Sequence, residues 1–288
     1  MTSRGFVGTL GRRALAPVTG TPVTDGERHD RHRNTSTTGR QQPLDSRLES
    51  NRSRVLERIA AAARAAGRGP DEVELVAVTK SVAPELAGAL FDLGCQDLAE
   101  NRASALEEKH AAFLAAGRSA RWHFVGHLQR NKARRVLRLA HAIHSVDSAP
   151  LWETLARQAL EERRFPGVYL QLKLADEDAK GGLAPEELPA LVERARGGPL
   201  PLLGLMVMAP LLADPEAARR AARAVFERAA VFARTLPGSA FVDGRVRLSM
   251  GMSDDFEEAV RAGAHVVRVG SLLFAGCDAD ARARRDAS

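Results

Sequence analysis

The sequence predicts an α/β protein that folds as a single closed (β/α)8 (TIM) barrel. Short apolar segments alternate with longer amphipathic segments between residues 73 and 269, a pattern typical of parallel βαβ units. Eight such units in about 230 residues match the size of one barrel domain. An open doubly wound sheet is the alternative, but no Gly-x-Gly-x-x-Gly motif follows the first predicted strand.

Each unit of the predicted barrel is a strand followed by a helix. Pro84 opens the first of these helices and Gly94 closes it, while Asp214 and Pro215 provide the N-cap and first position of a later one. Strands are predicted at 73–80, 96–99, 121–126, 142–147, 167–175, 202–209, 245–250 and 265–269. Helices are predicted at 84–93, 102–115, 130–139, 150–163, from about 185 onward, 215–235 and 254–262.

The two ends of the chain differ from its centre. Residues 1–45 are rich in Gly, Thr, Ser, Pro and Arg and lack apolar periodicity, so we expect a disordered extension there. A helical pattern begins at about Leu44 and stops at Gly67. We expect residues 46–277 to form the barrel and residues 278–288 to be a frayed tail.

Composition excludes several classes of function. Half of the formal net charge of +6 lies in residues 1–45, where seven arginines face four acids, and aromatic residues make up only 5% of the chain. A nucleic-acid-binding surface is therefore not expected. The two cysteines are too few for a disulfide framework and suit a cytoplasmic protein. No apolar run is long enough to span a membrane, and no secretory signal is expected.

Functional residues of a (β/α)8 barrel lie at the carboxyl ends of its strands, and the first strand ends on Lys80. Its apolar neighbours disfavour the ammonium form, and a neutral amine can form a Schiff base with an aldehyde or ketone. The alternative is a lysine that extends its charged head into solvent from a strand end.

The ends of the seventh and eighth strands resemble an anion cradle. Gly251 and Gly270 allow the backbone close to a ligand, and Ser253 and Ser271 add hydroxyl groups at the usual phosphate position of this fold. Ser253 has the alternative role of a helix N-cap. We expect Asp254 and Asp255 to face solvent, where they complement the helix dipole.

Arg268 and a pair of histidines are further candidate residues at the strand ends. Arg268 shares the orientation of Gly270, and it either meets a ligand acceptor or pairs with a structural carboxylate. His123 and His127 flank one strand end, but no matching ligand set accompanies them, so a metal site is not favoured.

These strand-end residues together resemble the pyridoxal 5′-phosphate homeostasis proteins, which look like the isolated barrel domain of bacterial alanine racemase. The resemblance runs from about residue 48 to 276. The matching stretches are Val76-Ala77-Val78-Thr79-Lys80, Ala99-Glu100-Asn101, Trp122-His123-Phe124-Val125-Gly126-His127-Leu128-Gln129-Arg130-Asn131-Lys132, Ser145-Val146-Asp147-Ser148, Asp176-Glu177-Asp178-Ala179-Lys180-Gly181-Gly182, Gly204-Leu205-Met206, Ser249-Met250-Gly251-Met252-Ser253-Asp254-Asp255 and Val267-Arg268-Val269-Gly270-Ser271.

The resemblance implies that Lys80 carries pyridoxal 5′-phosphate (PLP) as an aldimine and that Arg268 faces the pyridine nitrogen. It also implies that Asn101 lies near the cofactor ring. The remaining cofactor-binding residues that it implies, most of them around the phosphate, are Met252, Ser253, Gly270 and Ser271. The chain departs from the family at Leu98-Ala99, where Phe-Gly is usual, at Gly181, where Ser is frequent, and at Phe274-Ala275, where Ile-Phe is usual.

The implied chemistry favours a carrier over an enzyme. PLP is a strong electron sink when its ring nitrogen is protonated, and an arginine does not readily give up a proton. A racemase also needs a second acid/base, yet Tyr169 is the only tyrosine. We therefore expect a monomeric PLP homeostasis protein with little or no turnover, with PLP-dependent client enzymes as partners. The alternatives are a Schiff-base aldolase or PLP-dependent racemase, and a binding module that uses the basic tail.

Overall fold

The structure, a computed structural model, describes residues 44–174 and 181–277. Within these ranges, eight parallel strands close into a barrel in their order along the chain, and the last strand pairs with the first. The predicted (β/α)8 fold is thereby confirmed. Residues 1–43 of the predicted extension, the 278–288 tail and the Asp176–Lys180 part of one motif lie outside the described residues.

Strands and helices alternate as the sequence pattern predicts. The strands are β1 (Glu74–Val78), β2 (Asp97–Glu100), β3 (Arg121–Phe124), β4 (Ala142–Val146), β5 (Gly167–Gln171), β6 (Leu202–Met206), β7 (Arg247–Ser249) and β8 (Val266–Val269). The helices are α1 (Leu44–Ala65), α2 (Pro84–Asp92), α3 (Ala103–Ala115), α4 (Ala133–Leu139), α5 (Ala149–Glu162), α6 (Leu188–Ala195), α7 (Pro215–Ala233) and α8 (Phe256–Arg261).

Several predicted element ends are wrong. β5 and β6 stop before the predicted residues 175 and 209, because apolar residues such as Leu172 and Val207 remain buried after strand pairing has ended. An apolar sequence pattern indicates which residues are buried, but residues can stay buried after the last hydrogen bond between strands. The pattern therefore predicted strands that were too long. The helix predicted at 130–139 is instead a 3₁₀ turn, Arg130–Lys132, followed by α4.

The barrel has an outer and an inner core. Strand alternation sends residues such as Trp122 and Phe124 outward, where they pack against the surrounding helices. Trp122 makes an edge-to-face contact with Phe113 of α3, with ring centroids 5.0 Å apart. The inner apolar cluster is small and consists of Val76, Val78, Ala99, Tyr169, Met206 and Val266. Polar side chains fill much of the remaining interior.

Helix α1 attaches the loop after β8 to the outside of the barrel. The Asn51 side-chain amide donates to the carbonyls of Leu273 and Ala275, at 3.1 and 3.0 Å. Arg58 makes a bidentate ion pair with Glu257 of α8, at 2.9 Å. The amino-terminal helix therefore fixes two segments that border the candidate site. In the described ranges, no helix combines the length and apolar character needed to cross a membrane.

Candidate functional site

Lys80 lies just beyond β1, on the face formed by the carboxyl ends of the strands. Val76 and Val78 belong to the inner cluster, so strand alternation gives Lys80 the inward orientation. Its side chain is nevertheless exposed at the rim of the barrel. The expectation that apolar neighbours desolvate this lysine is therefore wrong, because the strand ends two residues before Lys80 and the chain turns there.

A buried polar cluster outside the barrel holds the backbone beneath Lys80. The Thr79 hydroxyl donates to Glu100 Oε1 at 2.6 Å, and the Thr79 carbonyl accepts from Lys109 Nζ at 2.5 Å. Lys109 also pairs directly with the Glu100 carboxylate, and both side chains are buried. Sequence reasoning missed this cluster, although the polar Thr79 and Glu100 at the ends of adjacent apolar strands were a usable signal.

Asn101 follows β2 and is half-buried beside the first turn of the next unit. Its carbonyl oxygen lies so close to Gly126 that a Cβ atom there would approach within 2.0 Å. Only glycine permits this contact between the loops after β2 and β3. The sequence-predicted residue Asn101 is thus fixed in position by a glycine of the motif after β3.

The loops after β7 and β8 meet as predicted. Ser253 is buried, and its hydroxyl accepts a hydrogen bond from the Gly270 N–H at 3.3 Å. A Cβ atom on Gly270 would lie 2.9 Å from the Val78 carbonyl oxygen, so this glycine brings the β8 loop against β1. In the described part of the chain, the backbone N–H groups of Ser253 and Ser271 make no hydrogen bond. These loops therefore offer free donors beside Lys80.

The residues after Ser253 only partly follow expectation. Asp254 is exposed, as predicted, whereas Asp255 is half-buried and its Oδ1 accepts from the Met252 N–H at 2.5 Å. Asp255, and not Ser253, precedes the first residue of α8. The N-cap interpretation of Ser253 is therefore wrong, and its hydroxyl serves the contact between the two loops. Met252 is half-buried in the same turn.

Arg268 lies inside the barrel at 4% exposure, opposite Val76 in the β8–β1 pairing. Its guanidinium donates to Ser249 Oγ at 2.8 Å and to the Val207 carbonyl at 3.2 Å. Burial lowers the pKa of Arg268 to about 10, against the opposing effect of Asp255. Within residues 44–174 and 181–277, no carboxylate forms an ion pair with Arg268, which disfavours the structural-pair interpretation.

A chain of buried hydrogen bonds continues from Arg268 across the barrel interior. Ser249 Oγ lies 2.7 Å from His144 Nδ1, and His144 Nε2 lies 2.8 Å from His123 Nδ1. His123 Nε2 then lies 3.1 Å from Asp97 Oδ1. Sequence reasoning missed this chain. The available signal was that these polar residues occupy inward positions of their strands.

The electrostatics of this chain follow from its burial. Burial lowers the pKa of His144 well below its usual value, and the charge of Arg268 acts in the same direction, as would a charge on His123. Burial alone raises the pKa of Asp97, but hydrogen bonds from His123 and Arg121 outweigh it and leave the pKa well below the usual value. The chain therefore joins a cation at one end to a carboxylate at the other.

His123 and His127 do not form a common site. His123 is inside the barrel, whereas His127 is exposed and its Nδ1 lies 3.0 Å from Asp147 Oδ2. Across the described ranges, no group of three or more His, Cys, Asp or Glu residues is arranged to hold a metal ion. Tyr169 is 1% exposed and stacks on His144 at 4.4 Å, and burial raises its pKa to about 12.

The geometry suits an anionic ligand with one ring acceptor and one electrophilic carbon. Free N–H donors after β7 and β8 fit a phosphate group. Arg268 is a buried donor that lacks a carboxylate partner among the described residues, and Lys80 supplies an amine nearby in the fold. The three requirements are thus met by neighbouring strands β7, β8 and β1.

Known proteins of similar sequence match most of this chain. Residues 51–278 match the family model described as alanine racemase, N-terminal domain. A pyridoxal phosphate homeostasis protein from Deinococcus radiodurans is 42% identical over 222 residues, covering 77% of this chain and 98% of that protein. One from Aquifex aeolicus is 35% identical over 227 residues, covering 77% and 95% respectively.

Solved structures give the same result. The structure of PipY from Synechococcus elongatus with PLP bound has a TM-score of 0.67 at 33% identity, covering 81% of this chain and 100% of that one. D-threonine aldolase from Filomicrobium marinum, with a TM-score of 0.60 at 17% identity, covers 80% and 60% and shares the fold alone. The chain therefore belongs to the pyridoxal phosphate homeostasis protein family, whose barrel is of the alanine racemase N-terminal type.

Proposed function

We propose that this chain binds PLP for intracellular PLP homeostasis and holds it with little or no turnover. The observation that carries the proposal is the convergence of Lys80, the Ser253–Gly270 contact and Arg268 on three neighbouring strands. PLP supplies an aldehyde and an electron-accepting ring when it is bound. The similar PipY structure, which has PLP bound, supports the same ligand.

Each proposed contact has a distinct physical role. Lys80 provides the amine that condenses with the cofactor aldehyde, with release of one water. The N–H groups of Ser253 and Ser271, with the Ser271 hydroxyl, bind the phosphate, and Gly270 lets the loop that carries Ser271 pack against β1. Asn101 and Met252 border the ring from the loops after β2 and β7. Arg268 donates to the ring nitrogen.

Arg268 also explains why turnover is expected to be small. A guanidinium only donates hydrogen bonds, so the nitrogen that it faces remains an acceptor and stays unprotonated. The ring is then a weak electron sink. Tyr169 is poorly suited to act as a second acid/base because it stacks on His144 and burial raises its pKa to about 12.

The test is to assay purified PLP-loaded protein for amino-acid racemisation, decarboxylation and aldol cleavage. We expect stoichiometric PLP binding without turnover above the rate of free PLP. Turnover that depends on Lys80, and is abolished by Lys80→Ala, would contradict the carrier function.

A PLP-dependent or Schiff-base enzyme is the second candidate, and one observation favours it. His127 and Asp147 form a hydrogen-bonded pair on the carboxyl face, an arrangement that can serve a general base. If this candidate is correct, His127→Gln lowers turnover while PLP binding persists. The carrier function predicts no turnover for His127→Gln to lower.

The remaining features of the proposal concern the whole chain. We propose a cytoplasmic monomer in which residues 46–277 form the binding domain. PLP-dependent enzymes are the proposed recipients of the cofactor. Sedimentation of the full chain tests the monomer, and transfer of PLP to an apoenzyme faster than from free solution tests the delivery.

A further inference from the structure

The hydrogen-bonded chain inside the barrel spans five strands. It runs from Arg268 on β8 through Ser249 on β7, His144 on β4 and His123 on β3 to Asp97 on β2. Four contacts of 2.7 to 3.1 Å join these residues, and four of the five side chains are buried. Asp97 is the exception, lying half-buried toward the amino-terminal face, where Arg121 also pairs with it.

With both imidazoles neutral, the two ends of the hydrogen-bond chain fix the direction of every hydrogen bond. Arg268 can only donate, so Ser249 Oγ accepts from it and directs its own hydrogen to His144 Nδ1. His144 must then carry its hydrogen on Nε2 and donate it to His123 Nδ1. His123 in turn donates from Nε2 to Asp97, whose carboxylate can only accept. When both imidazoles are neutral, this is the only arrangement that satisfies all four contacts.

The surroundings of the chain favour that arrangement. Tyr169 stacks on His144, Arg247 lies close enough to His144 to disfavour a positive charge there, and His141 packs beside His123 at 5.7 Å between ring centroids. Arg247 is itself paired with Glu74 at 2.7 Å. Arg268 and Asp97 are thus the charged ends, and burial together with the nearby arginines disfavours a charge on His144 between them.

We propose that Asp97, His123, His144 and Ser249 are positioning residues that hold Arg268 in a fixed orientation as a hydrogen-bond donor to the ligand. The proposal rests on the proposed function in that the ligand is PLP and the acceptor its ring nitrogen. Ser249 accepts a hydrogen bond from one edge of the guanidinium. The O–H and N–H groups that follow it along the hydrogen-bond chain are aligned, so that each bond dipole has its negative end toward Arg268. The carboxylate whose charge acts on Arg268 is that of Asp255, and Asp97 is the final acceptor of the hydrogen-bond chain.

The chain has a second state that makes the proposal testable. If His123 gains a proton, its Nδ1–H must donate to His144 Nε2, and His144 must carry its hydrogen on Nδ1. Ser249 then loses the acceptor for its hydroxyl hydrogen. A structural filler role for the two histidines does not predict a single tautomer for both rings.

The first experiment uses ligand-free protein with ¹⁵N-labelled histidine. Long-range ¹H–¹⁵N NMR at pH 7 is expected to show His123 and His144 neutral and protonated on Nε2. Ser249→Ala removes the donor to His144 Nδ1 and is expected to alter the ¹⁵N shifts of His144. The matched control is Ser145→Ala, which removes a buried hydroxyl that has no hydrogen-bond partner among the described residues and directly follows His144. His144 protonated on Nδ1, or cationic, would overturn the proposal.

The second experiment measures PLP binding. Ser249→Ala is expected to weaken PLP affinity about tenfold, because one buried donor of the guanidinium loses its partner. It should also shift the absorbance band that reports the ring nitrogen. Asp97→Asn keeps an acceptor for His123 but removes the charge, so its effect is expected to be smaller, about threefold. Ser145→Ala is expected to retain the parent affinity.

The two experiments separate the proposals from each other. If the parent protein does not bind PLP, the proposed function fails. The tautomers of His123 and His144 still test the directions of the hydrogen bonds inside the barrel. If PLP binds normally but Ser249→Ala and Ser145→Ala have equal affinity, the positioning role is wrong and the proposed function stands. The thermal unfolding midpoints of Ser249→Ala and Ser145→Ala are measured as well. A purely structural role of Ser249 predicts that its variant loses stability together with PLP affinity.

Discussion

Two buried polar clusters flank β1 and β2, and they are built differently. Outside the barrel, Lys109 and Glu100 are in direct ionic contact around Thr79, immediately beneath Lys80. Inside the barrel, the charges of Arg268 and Asp97 lie at opposite ends of a chain of hydrogen-bonded side chains. The outer cluster fixes the backbone at Thr79, whereas the inner one contains a buried cation that forms no ion pair with a carboxylate of the described residues. We therefore expect the outer cluster to govern stability and the inner one to govern ligand binding.

The largest expected effect is on stability, from Lys109→Met in the outer cluster. This variant leaves the Glu100 carboxylate buried without its cation, and it is expected to lower the free energy of unfolding by about 3–5 kcal/mol. Urea unfolding measures the change. The Lys109→Met/Glu100→Gln double variant should recover much of the loss because neither charge remains. The control is Lys132→Met, at an exposed lysine. If Lys109→Met loses no more unfolding free energy than Lys132→Met, the outer cluster does not govern stability.

The next effect is a pH dependence that comes from the inner chain. Because burial holds the pKa of His144 well below its unfolded value of about 6.5, unfolding takes up a proton below that pH. Stability is therefore present above pH 6.5 and is lost as the pH falls, by up to about 2 kcal/mol between pH 6.5 and 5. His144→Phe should reduce the slope of this part of the curve of unfolding free energy against pH, to which His265, whose pKa burial lowers to about 4, also contributes.

The control for that curve is the same substitution at the exposed His127. His127→Phe is expected to keep the parent slope between pH 6.5 and 5. A His144→Phe curve parallel to that of the parent would mean that the interior histidine takes up its proton in the folded protein, which contradicts the neutral chain.

The smallest expected effect is at the contact between the loops after β7 and β8. Ser253→Ala removes the acceptor of the Gly270 N–H and is expected to cost about 1 kcal/mol of unfolding free energy. The same variant should weaken the binding of inorganic phosphate or PLP. Unfolding in urea and phosphate titration measure the two effects. Asp254→Ala, at the exposed neighbour, is the matched control, and equal behaviour of the two variants would remove Ser253 from the site.

The sequence predicted the barrel well because its signal is local. Each strand is a short apolar run and each helix is amphipathic, so eight units could be read from the chain in order. The strand ends were less predictable because residues such as Leu172 stay buried after pairing stops. Lys80 was placed at the correct end of β1, but its exposure depends on where the chain turns.

The sequence predicted contacts within the candidate site only between loops that follow consecutive strands. Ser253 and Gly270 could be matched from the ends of consecutive strands, whereas the Ser249–His144 contact joins residues 105 positions apart. That contact depends on the register and stagger of strands across the barrel, which local patterns do not encode. The Lys109–Glu100 pair was missed for a related reason, since it needs the angle at which α3 packs on β2.

The most direct test of the central claim is borohydride reduction of the PLP-incubated protein followed by peptide mass spectrometry. The chain has five lysines, Lys80, Lys109, Lys132, Lys173 and Lys180, so the modified residue can be assigned without ambiguity. We expect a yellow protein in which the Lys80 peptide alone gains a reduced pyridoxyl-phosphate mass, and no such gain in Lys80→Ala. A colourless protein, or modification spread over the other lysines, would contradict the account.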